Sequence, residues 1–244
     1  IRPARSISTA FQLLAVAFQV QSLQQFGGVS VTHLDWSLVP YVRYSFMKHF
    51  ILNYLKLTGE FERLDLLLMT TEELDDWIDN NKQKYLKKWK LSYEDFYFDN
   101  RVFKKRKFRK LRQMALLDTI VETNQAAEGM YHNLNTLQSR SGNQLPFTSI
   151  NYGTCTSSEG RLIIKALLNG SIKGVGINHR TAIFPCGIFQ YSKEINGLPG
   201  TPNYDMYQLA LKSTAKRLYP NYANVDWSGN DDHVSYDLKR KYIS

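Results

Sequence analysis

The 244-residue chain predicts an α/β fold: parallel strands joined by helical crossovers, preceded by helices. Three observations carry this. From Pro146 onward the pattern alternates strand, helix, strand, helix, strand, and such alternation calls for parallel pairing through crossover connections. Thr181 to Phe189 (TAIFPCGIF) is a mostly apolar run, as in a strand covered on both faces. Long stretches with apolar residues at helical spacing come first. The composition, 43% apolar, 13% aromatic and 22% charged, is that of a globular chain able to bury a sizeable core. Length alone allows one large domain or two small ones.

Taken in order, Ile7, Ala10, Phe11, Leu14, Ala17 and Phe18 predict a helix over Ser6 to Gln25, with Gly27-Gly28 as its stop. A second helix is expected from about Asp35, with Pro40 confined to its first turns and Leu38, Val42, Phe46 and Phe50 on one face. Two helices are therefore expected before any strand. The stretch 57–110 reads as a helical, charged insertion. Acids dominate Glu60–Asp79, bases dominate Lys82–Lys110, and aromatics from Trp77 to Phe98 argue against a disordered linker. A third helix, Leu111 to Leu137, carries Met114, Leu117 and Val121 along one side.

Phe147 to Tyr152 alternates as a strand, with Phe147, Ser149 and Asn151 on one face and Thr148, Ile150 and Tyr152 on the other. Thr156 to Glu159 has capping-box spacing ahead of a helix that Gly170 closes. Pro185 implies an irregularity in the next strand. A helix from Tyr204 to Leu218 carries Tyr207, Ala210, Leu211, Thr214 and Leu218 inward. Asp205 lies in its first turn and Lys216 and Arg217 in its last, as the dipole prefers. Tyr222 to Trp227 supplies the third strand. Three such strands make about half of a closed barrel or part of an open sheet.

Lysine and arginine outnumber aspartate and glutamate by 31 to 22, and the net charge of +9 favours polyanionic partners. Eight of the bases crowd into Arg101–Arg112 (RVFKKRKFRKLR). That run suits a phosphate backbone, with Phe103 and Phe108 able to stack on bases, or else forms a solvated helix face pairing with the acids upstream. Glu72-Glu73 and Asp75-Asp76 read as a solvated acidic face. Two cysteines exclude a disulfide scaffold, and both Cys155 and Cys186 are expected to be buried and inert. The five histidines never fall at metal-ligand spacing, so no metal site is expected. No apolar run is long enough to span a bilayer and no secretory signal opens the chain, so a cytoplasmic location is expected. Because the first residue is Ile1, the chain is read as a fragment, a processed product or an excerpt.

Ser139–Gly153 (SRSGNQLPFTSINYG) packs polar residues around a strand. Polar groups inside a sheet are costly unless partnered, so they form either a satisfied internal network or a surface for ligand hydroxyls or phosphates. The turn from Gly153 to Gly160 enters a helix N-terminus, where free N–H groups attract anions or are capped locally. It lacks both the Walker lysine and a GxGxxG run.

Taken together, several ordered motifs resemble the class III anaerobic ribonucleoside-triphosphate reductases, most closely their bacteriophage branch. They are Ser6–Ala10 (SISTA), Gln25–Gly28 (QFGG), Leu38–His49 (LVPYVRYSFMKH), Leu134–Leu137 (LNTL), Ser141–Gly153 (SGNQLPFTSINYG), His179–Pro185 (HRTAIFP), Gly200–Asp205 (GTPNYD) and Ala215–Pro220 (AKRLYP). The resemblance implies a ten-stranded α/β barrel, with residues 1–230 forming its first half and 231–244 an unmatched tail. It implies reduction of ribonucleoside triphosphates by glycyl and thiyl radical chemistry, with formate as reductant and a C-terminal zinc site. Implied partners are deoxynucleotide or ATP effectors, a second copy of the chain in a homodimer, and an iron–sulfur activase using S-adenosylmethionine. By motif position, Gln144, Pro146, Ser149 and Asn151 are the candidate substrate-facing residues.

The departures are equally specific. The family's Gly-Cys-Arg motif is expected shortly after Trp227, where Asn230–Ser244 (NDDHVSYDLKRKYIS) does not align, and its partner cysteine is expected ahead of Ile1. No radical residue, zinc ligand or other cofactor site is therefore assigned here. The expectation is a barrel segment inactive by itself, completed by a complementary C-terminal fragment. The alternative is a noncatalytic polyanion-binding protein that uses residues 101–112.

Overall fold

The computed structural model describes residues 3–24, 27–60, 69–100, 106–136 and 145–227. The chain divides into two compact units, Ile1–Ala10 with Pro40–Thr123, and Phe11–Val39 with Asn124–Ser244. The elements are α1 (Ile7–Gln24), β1 (Val29–Val31), α2 (Leu34–Ser37), α3 (Val39–Thr58), α4 (Thr71–Trp89), α5 (Arg106–Thr136), β2 (Thr148–Tyr152), α6 (Ser158–Lys173), β3 (Cys186–Tyr191), α7 (Tyr204–Arg217) and β4 (Asn221–Asn224). The single helix expected from Asp35 is two, broken at Leu38. Pro40 then falls in the first turn of α3, where its missing N–H costs nothing.

In the first unit, Val42, Phe46 and Phe50 line the buried face of α3. Edge-to-face rings build the core there: Phe46–Phe98 at 5.2 Å, Phe50–Trp89 at 5.3 Å and Phe50–Phe96 at 5.5 Å between centroids. Aromatics from 77 to 98 thus supply the apolar area that orders this charged stretch. Helix α4 opens on a capping box, the Glu73 N–H donating to Thr70 Oγ1 at 3.2 Å and the Thr70 N–H to Glu73 Oε2 at 2.7 Å. Its acids are ion-paired rather than simply solvated: Asp75 with Lys48, Asp76 with Arg5, and Asp79 with Arg5 at 3.2 Å and Lys82 at 2.8 Å.

Helix α5 buries a different side from the one expected. Leu111, Ala115, Thr119 and Thr123 face inward, while Leu117 is 62% and Val121 47% exposed. The buried row is spaced by four, and its two threonines are hidden because each hydroxyl donates to the carbonyl four residues back, both at 2.7 Å. A hydroxyl satisfied within its own helix packs much as an apolar group does.

The second unit holds a four-stranded, wholly parallel sheet in the order β1-β2-β3-β4, an arc of an α/β barrel with helical crossovers. Its first strand, three residues long, precedes α3 and overturns the expectation of two helices before any strand; it is too short for alternation to register. Residues 181–185 stay outside β3. The Asn135 side chain holds them instead, accepting from the Ile183 N–H at 2.7 Å and donating to the Phe184 carbonyl. Helix α6 is capped by Ser157, which accepts from the Gly160 N–H at 3.1 Å, so the expected Thr156–Glu159 box does not form. It continues through Gly170 to Lys173. Gly170 is a close-packing site, since a Cβ there would lie 3.0 Å from the Tyr131 ring. On α7, Ala210 is buried and Tyr207 packs on Phe189 and Tyr222, but Leu211 is 39% and Leu218 81% exposed, so the inward face is narrower than the sequence suggested. Among the described residues no helix is long and apolar enough to cross a membrane.

Candidate functional site

Register assigns every side chain of the sheet to a face. Ser30 pairs with Ser149, Ser149 with Cys186, Asn151 with Ile188, and Ile188 with Asn221. These residues, with Gln190 two positions beyond Ile188, share one side. The opposite side carries Ile150, Tyr152 and Phe189, all fully buried, with Tyr207 of α7 against Phe189 and Tyr191. One face is therefore an ordinary helix-packed core. The other is predominantly polar, and Ser149, Asn151, Cys186 and Ile188 on it are half-buried.

Hydrogen-bond satisfaction separates the two readings of that polar strand. Asn151 Oδ1 and Gln190 Oε1 on the polar face are buried without a donor, as is Thr148 Oγ1 on the other side. Buried polar atoms in folded proteins are nearly always paired, so these oxygens mark where the strand's polar network is left open within the chain. We have no physical account of Thr148. The candidates divide accordingly. Ser149 and Asn151 stand together on the open face, Pro146 is buried just ahead of β2, and Gln144 lies outside the described residues. Sequence reasoning missed Gln190; the one amide at period two within an otherwise apolar run (CGIFQY) was the signal that could have found it.

The turn after β2 is locked from all sides. The Asp35 carboxylate, wholly buried, accepts from the Gly153 N–H at 2.9 Å and the Cys155 N–H at 2.8 Å. Asn196 donates to the Gly153 and Gln190 carbonyls at 3.1 and 2.8 Å, and Asn203 to the Gly153 and Cys155 carbonyls at 3.1 and 2.9 Å. The Trp36 indole donates to Thr154 Oγ1 at 3.1 Å. Gly153 sits at φ 131°, and a Cβ there would lie 3.1 Å from the Gln190 carbonyl oxygen, so only glycine fits. Two of the turn's N–H groups, those of Gly153 and Cys155, are thus occupied by the chain's own carboxylate, and that of Gly160 by Ser157. Burial pushes the Asp35 carboxyl up to about 6, against the four backbone hydrogen bonds that lower it.

Cys155 is buried, and desolvation raises its thiol to about 11, as expected of an inert cysteine. Cys186 departs from expectation. It is half-buried on the polar face beside Ser149, its thiol 3.6 Å from the Tyr219 hydroxyl. Among the described residues no three His, Cys, Asp or Glu side chains are grouped to hold a metal ion. The basic run offers less surface than its composition suggests. Residues 101–105 lie outside the described residues. Phe108, expected to stack on bases, is buried against Phe50 at 5.9 Å, and Arg112 donates to the Phe98 carbonyl at 2.8 Å instead of pairing with the upstream acids.

Comparison with known proteins matches residues 1–240 to the family model described as anaerobic ribonucleoside-triphosphate reductase. Similar curated proteins include the anaerobic ribonucleoside-triphosphate reductases of Escherichia coli K12, 29% identical over 226 residues, and of Enterobacteria phage T4, 29% identical over 222 residues. The matches cover 93% and 91% of this chain but 25% and 28% of those relatives. The chain spans about a quarter of the length of the E. coli protein.

Proposed function

Because the chain belongs to the anaerobic ribonucleoside-triphosphate reductase family, we propose that this segment forms part of the barrel wall that holds a ribonucleoside triphosphate for reduction to the deoxyribonucleotide. One observation carries the reading. The polar side of the parallel sheet presents half-buried Ser149 and Asn151, and the Asn151 amide oxygen lacks a donor that a ligand would provide. Ser149 and Asn151 then bind and orient the nucleotide, the helix-packed side of β2 and β3 keeps them rigid, and Gln144 and Pro146 remain candidate contacts by motif position alone. Ligand sites at the carboxyl ends of parallel strands are the general rule for such sheets, and the locked turn at Gly153 lies at that end of β2.

In the complete protein, radical chemistry is proposed to follow the family pattern, with a glycyl radical, formate, a zinc site, nucleotide effectors, a homodimer and a separate activase. When formed, the glycyl radical supplies the hydrogen-abstracting thiyl. The cysteines available here do not suit that role: Cys155 is sealed from the polar face by burial, and neither it nor Cys186 matches a radical-cysteine motif. No step is assigned to either. The test is hydrogen exchange on the complete polypeptide with and without ribonucleoside triphosphate. Slower exchange over residues 148–153, lost on Asn151→Leu, supports the reading; unchanged exchange there with nucleotide bound elsewhere overturns it.

A further inference from the structure

We propose that Gln190 is a second ligand-reading residue of this face and that, with Asn151, it receives the ribose hydroxyls of the nucleotide rather than its phosphates. The inference rests on the ribonucleotide reading above and adds a specific residue and orientation to it. Gln190 is 5% exposed, and its amide oxygen has no donor. It lies two residues beyond Ile188, the partner of Asn151 on the β2–β3 ladder, and so on the same side. An amide oxygen left unpaired in the interior destabilises the fold by roughly 1–3 kcal/mol relative to a paired one, so the fold itself gains nothing from this group. A ligand donor relieves it, and the soft terminal torsion of a glutamine lets the oxygen turn toward a group arriving on that face.

The orientation of the two amides bears on which end of the nucleotide arrives. Both orphaned atoms are acceptors, and they need O–H or N–H donors. Ionised phosphate offers only acceptors. The neighbouring turn reinforces this, because its Gly153 and Cys155 N–H groups donate to Asp35 and are not left for a phosphate. The pair Asn151 and Gln190 therefore suits the vicinal diol of a ribose, the feature by which a ribonucleotide differs from its product.

The experiment uses the complete polypeptide without its radical installed, so that no turnover intervenes, and compares a ribonucleoside triphosphate with its 2′,3′-dideoxy counterpart. Hydrogen exchange over residues 148–153 and 186–191 localises binding to this face and away from effector sites. In the wild type the ribonucleotide is expected to protect both segments about tenfold more tightly than the dideoxy compound, the value of one hydrogen bond. In Gln190→Met, similar in size but without the acceptor, that preference falls several-fold while the melting temperature stays level or rises. Equal protection by both compounds in the wild type, or an undiminished preference in Gln190→Met, overturns the hydroxyl assignment and leaves the ribonucleotide reading standing. A fall in the melting temperature of Gln190→Met also overturns it, since Gln190 would then serve the fold. Absence of protection by either compound in the wild type sinks the ribonucleotide reading itself.

Discussion

At the scale of single residues, Asp35 shows how a buried charge is both a strut and a liability. Its carboxylate closes the turn after β2 through the Gly153 and Cys155 N–H groups, yet desolvation pushes its pKa up to about 6, above the ordinary aspartate value of 3.8. Between about pH 4 and 6 the folded protein keeps a proton that the unfolded chain has released, so this group's contribution to stability falls as pH rises through that window and levels off above it. Asp35→Asn keeps an oxygen for both N–H groups and removes the titration. Urea unfolding of the two proteins at pH 4 and pH 7 should therefore show the variant gaining on the wild type at the higher pH, by up to about 3 kcal/mol. An unchanged difference between them would assign the pH response elsewhere. Little of this was legible beforehand: Asp35 appeared only as a helix start, because its partners lie some 118 positions away in sequence.

At the scale of elements, the two faces of α5 make contrasting predictions within one helix. Leu117 is 62% exposed, and Leu134, farther along, is fully buried. Leu117→Ser should leave the unfolding free energy within about 0.5 kcal/mol, whereas Leu134→Ala should lower it by roughly 2–5 kcal/mol, as measured by chemical denaturation. The helix itself was legible from its length and apolar spacing, but its buried side was not. Periodicity counts apolar residues, and here the inward row is built on Ala115, Thr119 and Thr123, whose hydroxyls are satisfied internally. The same limit applies to β1, where three residues carry too little pattern to announce a strand, and to Gly170, whose role is contact with Tyr131 rather than helix termination.

At the scale of the molecule, the sheet is an arc whose two edge strands, β1 and β4, each have one paired neighbour among the described residues. We propose that the residues the resemblance assigns to radical transfer lie outside these 244 positions, in which neither cysteine stands in a Gly-Cys-Arg motif. Anaerobic assay of this segment with activase, formate and ribonucleoside triphosphates should therefore give no deoxyribonucleotide; product formation without a further polypeptide would contradict that division of labour. The sequence by itself determined the α/β class, the parallel strands after Pro146, the family and the polar character of β2, because these follow from local periodicity, turn chemistry and ordered motifs. Only the tertiary structure decided that Gln190 stands beside Asn151, that Asp35 occupies the turn a phosphate might have used, and that Phe108 belongs to an aromatic core. Those facts depend on strand register and on contacts between residues far apart in the chain, which local pattern does not encode.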